Sequence, residues 1–261
     1  MLKNGGSKLS VSKEGNLEVE IQDQTSDRLS LFLAQVLGLV TSISGAAKDE
    51  STFNIITDGV VPVIGNFICM QEEQKITQEE IISVALVSGN EYTITLAVPL
   101  DYDYTTSGSC SIQNVDMDVD GSITEVDFLV GPKIGEWDIT RMMVSMVLSS
   151  AGDDGLFGNL TALTNGQYFR KEDSGDAQNL FIVKENSDFA IEGYDVSYPI
   201  RSGGGGSNGM RSRITFNGPD KSGVVVRLSA TNSDTFKSVI RDDLTGLVRY
   251  RVKVQGHVVQ N

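Results

Sequence analysis

The chain has few of the residues that build metal centres or covalent frameworks. Its 261 residues include one histidine, His257, and two cysteines, Cys69 and Cys110. One imidazole excludes metal sites made from several histidines, and two thiols are too few for a disulfide framework or a cysteine-only zinc site. His257 lies in a strand-like run near the C-terminus, where we expect a surface or interface residue. Cys69 and Cys110 lie in separate strand-like runs, and we expect reduced thiols in the core.

Signals for catalysis are equally scarce. The H-E-x-x-H metalloprotease motif is missing, and one candidate imidazole is left for a triad. Paired carboxylates such as "DYDY" and "GDDG" could serve an all-β glycan hydrolase, but an acidic chain contains many such pairs by chance. We therefore predict a protein that is not an enzyme, with no catalytic residue, no bound metal and no cofactor. A glycan-cleaving enzyme remains the alternative from another functional class.

Basic residues are few in most of the chain but frequent near its end. Residues 1–200 contain 11 Lys and Arg against 31 Asp and Glu, a net charge of −20, whereas residues 201–261 contain 10 against 4, a net of +6. Such asymmetry can reflect pairing within the chain, a nucleic-acid tail, or copies that place a basic face against a neighbour's acidic face. The second is disfavoured because the other 200 residues carry a net charge of −20, and we predict no nucleic-acid partner.

Helical periodicity is scarce as well, and short apolar runs alternate with turn residues. "TQEEIISVALVSGNEYTITLAVPL" reads as two strands joined by a turn at Ser88, Gly89 and Asn90. Many short strands at close spacing indicate an all-β sandwich or barrel. The runs are "LEVEIQD", "TFNIIT", "NFICMQ", "DITRMMVSMVLSS", "NLFIVKEN", "RSRITFNG", "GVVVRLSAT" and "LVRYRVKVQGHVV".

Three further stretches need an interpretation. The N-terminus has no apolar core of a signal peptide, so secretion by that route is not expected. The apolar stretch 29–47 contains several polar residues and no flanking basic cluster, so we predict a buried strand pair or a short helix and no membrane partner. "SGGGGSNG", residues 202–209, has too few side chains to pack and is predicted to be a loop.

The stretch "NVDMDVDGSITEVDF", residues 114–128, matches the pattern of an EF-hand calcium loop. Asp116, Asp118, Asp120 and Asp127 fall on ligand positions, but no helix pattern precedes them. Because apolar residues alternate with the first three aspartates, we predict instead a strand that leads into a hairpin turn at Gly121 and Ser122. Val115, Met117 and Val119 should face inward, and the aspartates should face solvent.

Two boundaries, near residues 40 and 114, divide the predicted fold. We expect an all-β protein with a sandwich-like or barrel-like main domain built from residues 1–39 and 114–261. Residues 40–113 would form an inserted small β-barrel module, which should fold when expressed alone.

The inserted stretch carries a family resemblance. "TFNIITDGVVPVIGNFICM" and "IISVALVSGNEYTITLAVPLDYDYTTSGSCSI" resemble a small β module of bacteriophage virion proteins. The flanks "EIQDQTSDRL", "DITRMMVSMVLSSAGDDGLFGNLTALTNGQYFR" and "IRDDLTGLVRYRVKVQGHVV" resemble those of phage structural proteins of the tail or baseplate type. The resemblance implies a virion protein assembled in the host cytoplasm as a homo-oligomer, with other virion proteins as partners. A capsid-associated or glycan-contacting receptor-binding protein is the alternative.

A basic row near the C-terminus is the candidate contact site. In "LVRYRVKVQ", Val248, Tyr250, Val252 and Val254 alternate with Arg249, Arg251, Lys253 and Gln255, so a strand should bury the first set and display three cations. Arg211 and Arg213 extend the row if their strand joins the same sheet. We predict that this face meets an acidic part of a neighbouring copy or of another virion protein. A solvated strand face is the alternative.

Overall fold

The structure is a computed structural model. The structure describes residues 7–11, 17–21, 28–72, 75–105, 109–117, 119, 125–148, 157, 160, 162–185, 188, 208–215, 226–244 and 247–259. These residues form seventeen β-strands, and the prediction of an all-β protein is confirmed. Within these ranges, no helix has the length and apolar character needed to cross a bilayer.

The strands are numbered in chain order. Their bounds are β1 Ser7–Val11, β2 Leu17–Ile21, β3 Arg28–Phe32, β4 Gln35–Ser44, β5 Thr52–Thr57, β6 Phe67–Glu72, β7 Lys75–Ser88, β8 Glu91–Leu96, β9 Ser109–Asn114, β10 Val126–Val130, β11 Glu136–Leu148, β12 Gln167–Glu172, β13 Ala177–Val183, β14 Asn208–Thr215, β15 Val226–Ser229, β16 Thr235–Ile240 and β17 Leu247–Val259.

The strands assemble into a closed barrel and three open sheets. The barrel has the order β4-β5-β8-β7-β6-β9. One open sheet has the order β10-β16-β12-β13, and a second has the order β14-β11-β17-β3, with β15 also paired to β11. Strands β1 and β2 form a separate antiparallel pair. We call the four-stranded and five-stranded sheets together the sandwich.

The sandwich core lies between its two sheets. On β11, Met142, Val144 and Met146 are buried while the residues between them are partly exposed, which is the period-two pattern of a strand with one covered face. Phe169 and Phe181 from the four-stranded sheet stack with ring centroids 4.7 Å apart in the same core. Burial of these large side chains is the main stabilising term for the sandwich.

The barrel encloses its own apolar core. Ile55, Ile68, Ile94 and Ile112 come from four different strands and are at most 1% exposed. The predicted hairpin is confirmed, because β7 and β8 pair antiparallel around a turn at Gly89 and Asn90. Barrel closure pairs β4 with both β5 and β9, so neither edge of this sheet is left open.

The chain enters and leaves the barrel at one junction with the sandwich. Ala34 and Leu129 exchange two backbone hydrogen bonds of 3.1 and 2.9 Å, and the ring of Phe32 meets that of Phe67 edge-on at 5.8 Å. The Gln78 side chain accepts a bond from the Phe32 amide and donates one to its carbonyl. Whether residues 40–113 fold alone, with the predicted boundaries, stays a prediction.

Residues 29–47 contain strands in two different layers. Strand β3 pairs with β17 in the sandwich, whereas β4 pairs with β5 and β9 in the barrel. The expected strand pair is therefore two strands that do not pair with each other. The chain passes between layers at Leu33 and Ala34, which are fully buried.

Candidate assembly surfaces

The calcium-like stretch turns its apolar residues inward, as predicted. Val115 and Met117 are fully buried and Val119 is 5% exposed. The predicted strand is wrong at residues 115–117, because β9 ends at Asn114 and these residues lie in no strand. The Met117 amide donates one bond to the Tyr250 carbonyl. Asp118, Asp120 and the predicted turn at residues 121 and 122 lie outside the described residues.

The two described aspartates of this pattern are both engaged by basic side chains. The Asp116 carboxylate receives two bonds from the Arg251 guanidinium, at 2.6 and 3.0 Å. Asp127 lies on β10, where its Oδ2 accepts a bond of 3.1 Å from Lys237. Asp116 therefore makes an ion pair in addition to facing outward, and Asp127 pairs with a lysine from the neighbouring strand.

The predicted alternation on β17 holds except at its start. Tyr250, Val252 and Val254 are at most 1% exposed, as expected. Val248 was expected to be buried but is 61% exposed, so that prediction is wrong. The pairing of β11 with β17 shifts by one residue there, and Leu247 lies opposite Leu148. A bulge of this kind reverses the faces of the residues beyond it, and Leu247 occupies the core in place of Val248.

The five predicted interface residues lie on strands of one sheet. Strand β11 separates β14 from β17, and Ser145 pairs with both Arg211 and Arg251. In the next row, Met143 pairs with both Arg213 and Lys253. Strands β14 and β17 therefore belong to the same sheet, as the prediction required. The side chains of Arg211 and Arg213 lie outside the described part of the structure.

The environments of the three β17 cations differ. Arg251 has a side chain only 14% exposed, bonds Asp116, and places its guanidinium carbon 5.4 Å from the centre of the Phe67 ring. The Lys253 amine lies 4.9 Å from the centre of the Phe32 ring, and burial lowers the pKa of Lys253 while the charge of Glu79 opposes that shift. Arg249 is exposed. The expected row of three displayed cations is therefore wrong for Arg251, whose charge is used at the junction.

Most of the exposed large apolar side chains lie on the barrel. Of fourteen large apolar side chains that are exposed among the described residues, eleven lie on the barrel or its loops. Three of them, Val61, Val63 and Ile64, occupy the connection between β5 and β6 and are 62%, 53% and 68% exposed. The other eight are Val36, Leu37, Leu39, Ile56, Ile82, Leu86, Val87 and Val98.

This connection, residues 58–66, is held firmly in place and is called the apolar loop below. At one end the Asp58 amide donates to the Leu39 carbonyl at 3.0 Å. At the other end the Gly65 amide donates to the Ile81 carbonyl at 2.9 Å, beside the exposed Ile82. These bonds join the apolar loop to the exposed Leu39 of β4 and to the buried Ile81 of β7. An anchored apolar surface of this kind is typical of a protein–protein contact.

Among the described residues, the remaining candidate catalytic groups do not form a catalytic constellation. His257 is exposed, with its Nε2 3.6 Å from Asp138 Oδ2, and Asp138 already receives two bonds from Arg227 at 2.7 and 2.8 Å. The glycine-rich stretch 205–209 matches G-x-S-x-G, a hydrolase pattern that turns from a strand into a helix. Here its last two residues begin strand β14, and Ser207 lies outside the described residues.

The two cysteines are free thiols. Cys110 is buried inside the barrel, whereas Cys69 is partly exposed on the outer side of β6. Desolvation raises the pKa of Cys69 to about 12 and raises the pKa of Cys110 well above its ordinary value. Both thiols are therefore protonated near neutral pH and poorly nucleophilic.

Comparison of the chain with known protein families, with curated proteins and with solved structures finds no match.

Proposed function

We propose that the protein is a non-enzymatic structural component of a bacteriophage virion, acting in tail or baseplate assembly. Its partners are copies of itself and other virion proteins. The observation that supports assembly best is the concentration of exposed apolar side chains on the barrel. The assignment to a phage rests on the resemblance of the inserted stretch and its flanks.

The apolar loop suits a permanent contact better than a transient one. Val61, Val63 and Ile64 are all more than half exposed, and their backbone is already ordered by bonds to β4 and β7. Association would bury apolar area at roughly 25 cal/mol per Å². Because the loop is ordered before contact, little conformational entropy is lost on binding.

The basic part of the five-stranded sheet supplies a second, orienting contact. Arg249 is exposed, and Arg28 is exposed at the other end of the same sheet, on β3. An otherwise acidic chain offers complementary charge on every neighbouring copy. Such charges set the orientation and rate of association more than its strength.

The first test removes apolar surface without touching the core. The double variant Val61→Ser, Ile64→Ser should keep its melting temperature within a few degrees, because both side chains already face solvent. Self-association measured by sedimentation velocity should fall, and incorporation into particles should fall with it. Ile182→Ser on β13 is the matched control, since Ile182 is 41% exposed on the sandwich. Normal assembly of the double variant would contradict the proposed role of the apolar loop.

The virion assignment has its own test. Antibodies raised against the protein should label the tail or baseplate of purified particles in electron micrographs. Label on the capsid would favour the capsid-associated alternative over the tail. Particles that lack the protein altogether would reject the virion proposal.

A further inference from the structure

A cleft of about 390 Å³ separates the barrel from the sandwich. One wall consists of side chains of the barrel strands β4, β6, β7 and β9, and Val36 and Leu39 of β4 are its apolar part. The other wall consists of the end of β10, the loop that follows it, Trp137 on β11 and the turn before β16. Its volume falls within the range of small-molecule sites, roughly 300–1,000 Å³.

The side chains of β6, β7 and β9 that face the cleft are polar. On β6 and β9, Ile68, Met70 and Ile112 point into the barrel, so the residues between them face the cleft. Gln113 accepts a bond of 2.8 Å from Gln78 and donates one of 3.1 Å to Ser111. The polar residues of this wall are Cys69, Gln71, Gln78, Ser109, Ser111 and Gln113.

One amide group of this wall has an unused donor. Gln71 is 4% exposed, and its Oε1 accepts a bond of 3.0 Å from the Lys133 backbone amide. That bond fixes the orientation of the side chain, because an amide nitrogen could not accept from the same donor. The Nε2 of Gln71 has no hydrogen-bond partner among the described residues.

Two polar atoms of the opposite wall also lack a hydrogen-bond partner among the described residues. Trp137 is 2% exposed, and its indole Nε1 has no partner within the described chain. Asp234 is 2% exposed, and its Oδ2 accepts a bond of 3.0 Å from the Ser229 amide and pairs with Lys171 at 2.9 Å. Its Oδ1 has no partner among the residues described. A methyl group on Gly131 would lie 2.6 Å from the backbone carbonyl of Asp234, so the two backbone segments are closely packed here.

Three unpaired polar atoms around one cleft require an explanation. Folded proteins pair the great majority of their buried polar groups, and an unpaired buried group costs on the order of 1–3 kcal/mol. The two donors and the acceptor all belong to residues that line the cleft. A hydrogen-bonding ligand between the walls would pair all three.

We propose that this cleft binds a neutral polyhydroxylated ligand, a saccharide. A hydroxyl accepts from the N–H groups of Gln71 and Trp137, and another donates to the Asp234 carboxylate. A cation is disfavoured because two of the three groups are donors and Lys171 is bound to Asp234. An anion is disfavoured because Asp234 is itself negative. The three atoms have no exposed surface of their own, so the proposed binding requires the two walls to separate.

The only tryptophan of the chain reports on binding directly, because Trp137 lines the cleft. The full-length protein is titrated with glucose, galactose, N-acetylglucosamine and maltose, with glycerol as a polyol without a sugar ring. At least one saccharide should give a saturable fluorescence change, with a Kd on the order of millimolar or below. Gln71→Met should weaken that binding about tenfold, since one donor is lost. Gln178→Met, on an exposed position of β13, should leave it unchanged.

A second variant separates loss of binding from loss of structure. Gln71→Met also removes the acceptor of the Lys133 amide, so its melting curve is recorded beside its titration. Trp137→Phe removes the other donor and is followed by calorimetry, and it should weaken binding in a folded protein. The proposal is overturned if no saccharide gives a saturable signal, if glycerol binds as well as the sugars, or if both folded variants bind like the wild type.

Discussion

The barrel carries eleven of the fourteen exposed large apolar side chains, whereas the ion pairs between described residues lie in the sandwich and at the junction. On the four-stranded sheet, Arg170 and Lys237 alternate with Asp127, Glu125 and Glu172. The Arg170 Nε lies 2.7 Å from Glu172, and the Lys237 amine lies 3.1 Å from Asp127. The difference is that exposed side chains of the four-stranded sheet are charged and paired with one another, whereas many exposed side chains of the barrel are apolar.

The interiors differ as well. The sandwich core contains a buried polar group, in which Gln167 donates to Ser238 at 2.5 Å and accepts from Tyr250. In the described part of the barrel core, one comparable buried bond joins the hydroxyls of Thr77 and Tyr104 at 2.7 Å. The sandwich therefore depends on specific polar geometry in addition to apolar burial, and point changes there should be more damaging.

The largest effect should come from Gly256→Ala in β17. A methyl group at this position would lie 1.9 Å from the Asp138 carbonyl, because β11 approaches β17 closely beside a bulge. Relief requires the two strands to separate, and we expect the free energy of unfolding to fall by about 3 kcal/mol. Urea unfolding measures this loss. Gly175→Ala is the control, since nothing lies within 4 Å of a methyl group there. Equal stability of the two variants would mean that the strands are not packed as described.

A smaller effect should follow Asp242→Ala in the sandwich. The buried Asp242 carboxylate accepts bonds from the backbone amides of Thr164, Asn165 and Gly166. Its loss leaves several amides without acceptors, and we expect about 2–3 kcal/mol of destabilisation in urea. Asp173→Ala is the matched control, because Asp173 bonds two amides in an exposed turn and should cost under about 1 kcal/mol. A control as damaging as the test variant would contradict the role given to burial.

The barrel thiols should make stability fall at alkaline pH. The pKa of Cys69 is raised by burial from 9.0 to about 12, so the folded protein keeps its proton where the unfolded chain loses it. The stabilisation is complete below pH 9 and declines between pH 9 and about 12, at up to about 1.4 kcal/mol per pH unit. Urea unfolding at pH 8 and pH 10 should show a smaller decline for Cys69→Ala than for the wild type. Parallel declines would mean that the thiol is not shielded.

The smallest effect on stability should come from Arg249→Glu, which tests the assembly surface of the sandwich. Arg249 is exposed, so unfolding should change by no more than about 0.5 kcal/mol. Arg249→Glu should nevertheless weaken association in a salt-sensitive way. Lys48→Glu on the barrel is the charge-matched control and should leave association unchanged. Arg251→Glu would be a poor test, because it also breaks the pair with Asp116. If Arg249→Glu associates as the wild type does at low salt, only the interpretation as a solvated strand face is left.

Local alternation was enough to predict several features. Period-two patterns identified the all-β fold, the β7–β8 hairpin, and the inward positions of Val115, Met117 and Val119. For the strands this succeeds because successive side chains point to opposite faces whatever the strand pairs with. Val115, Met117 and Val119 are buried although residues 115–117 lie in no strand. The division of the chain near residues 40 and 114, and the function, are predictions that these patterns could not test.

Other features were decided by tertiary structure alone. A bulge opposite β11 exposes Val248, and it depends on a strand a hundred residues away. Arg251 pairs with Asp116, which precedes it by 135 residues, so the local pattern could not show that its charge was occupied. The cleft and its unpaired groups exist only where barrel and sandwich meet. The sequence by itself determined which residues share a face of each strand, because that depends on backbone geometry. Tertiary structure decided which of those faces are free, because that depends on partners distant in the chain.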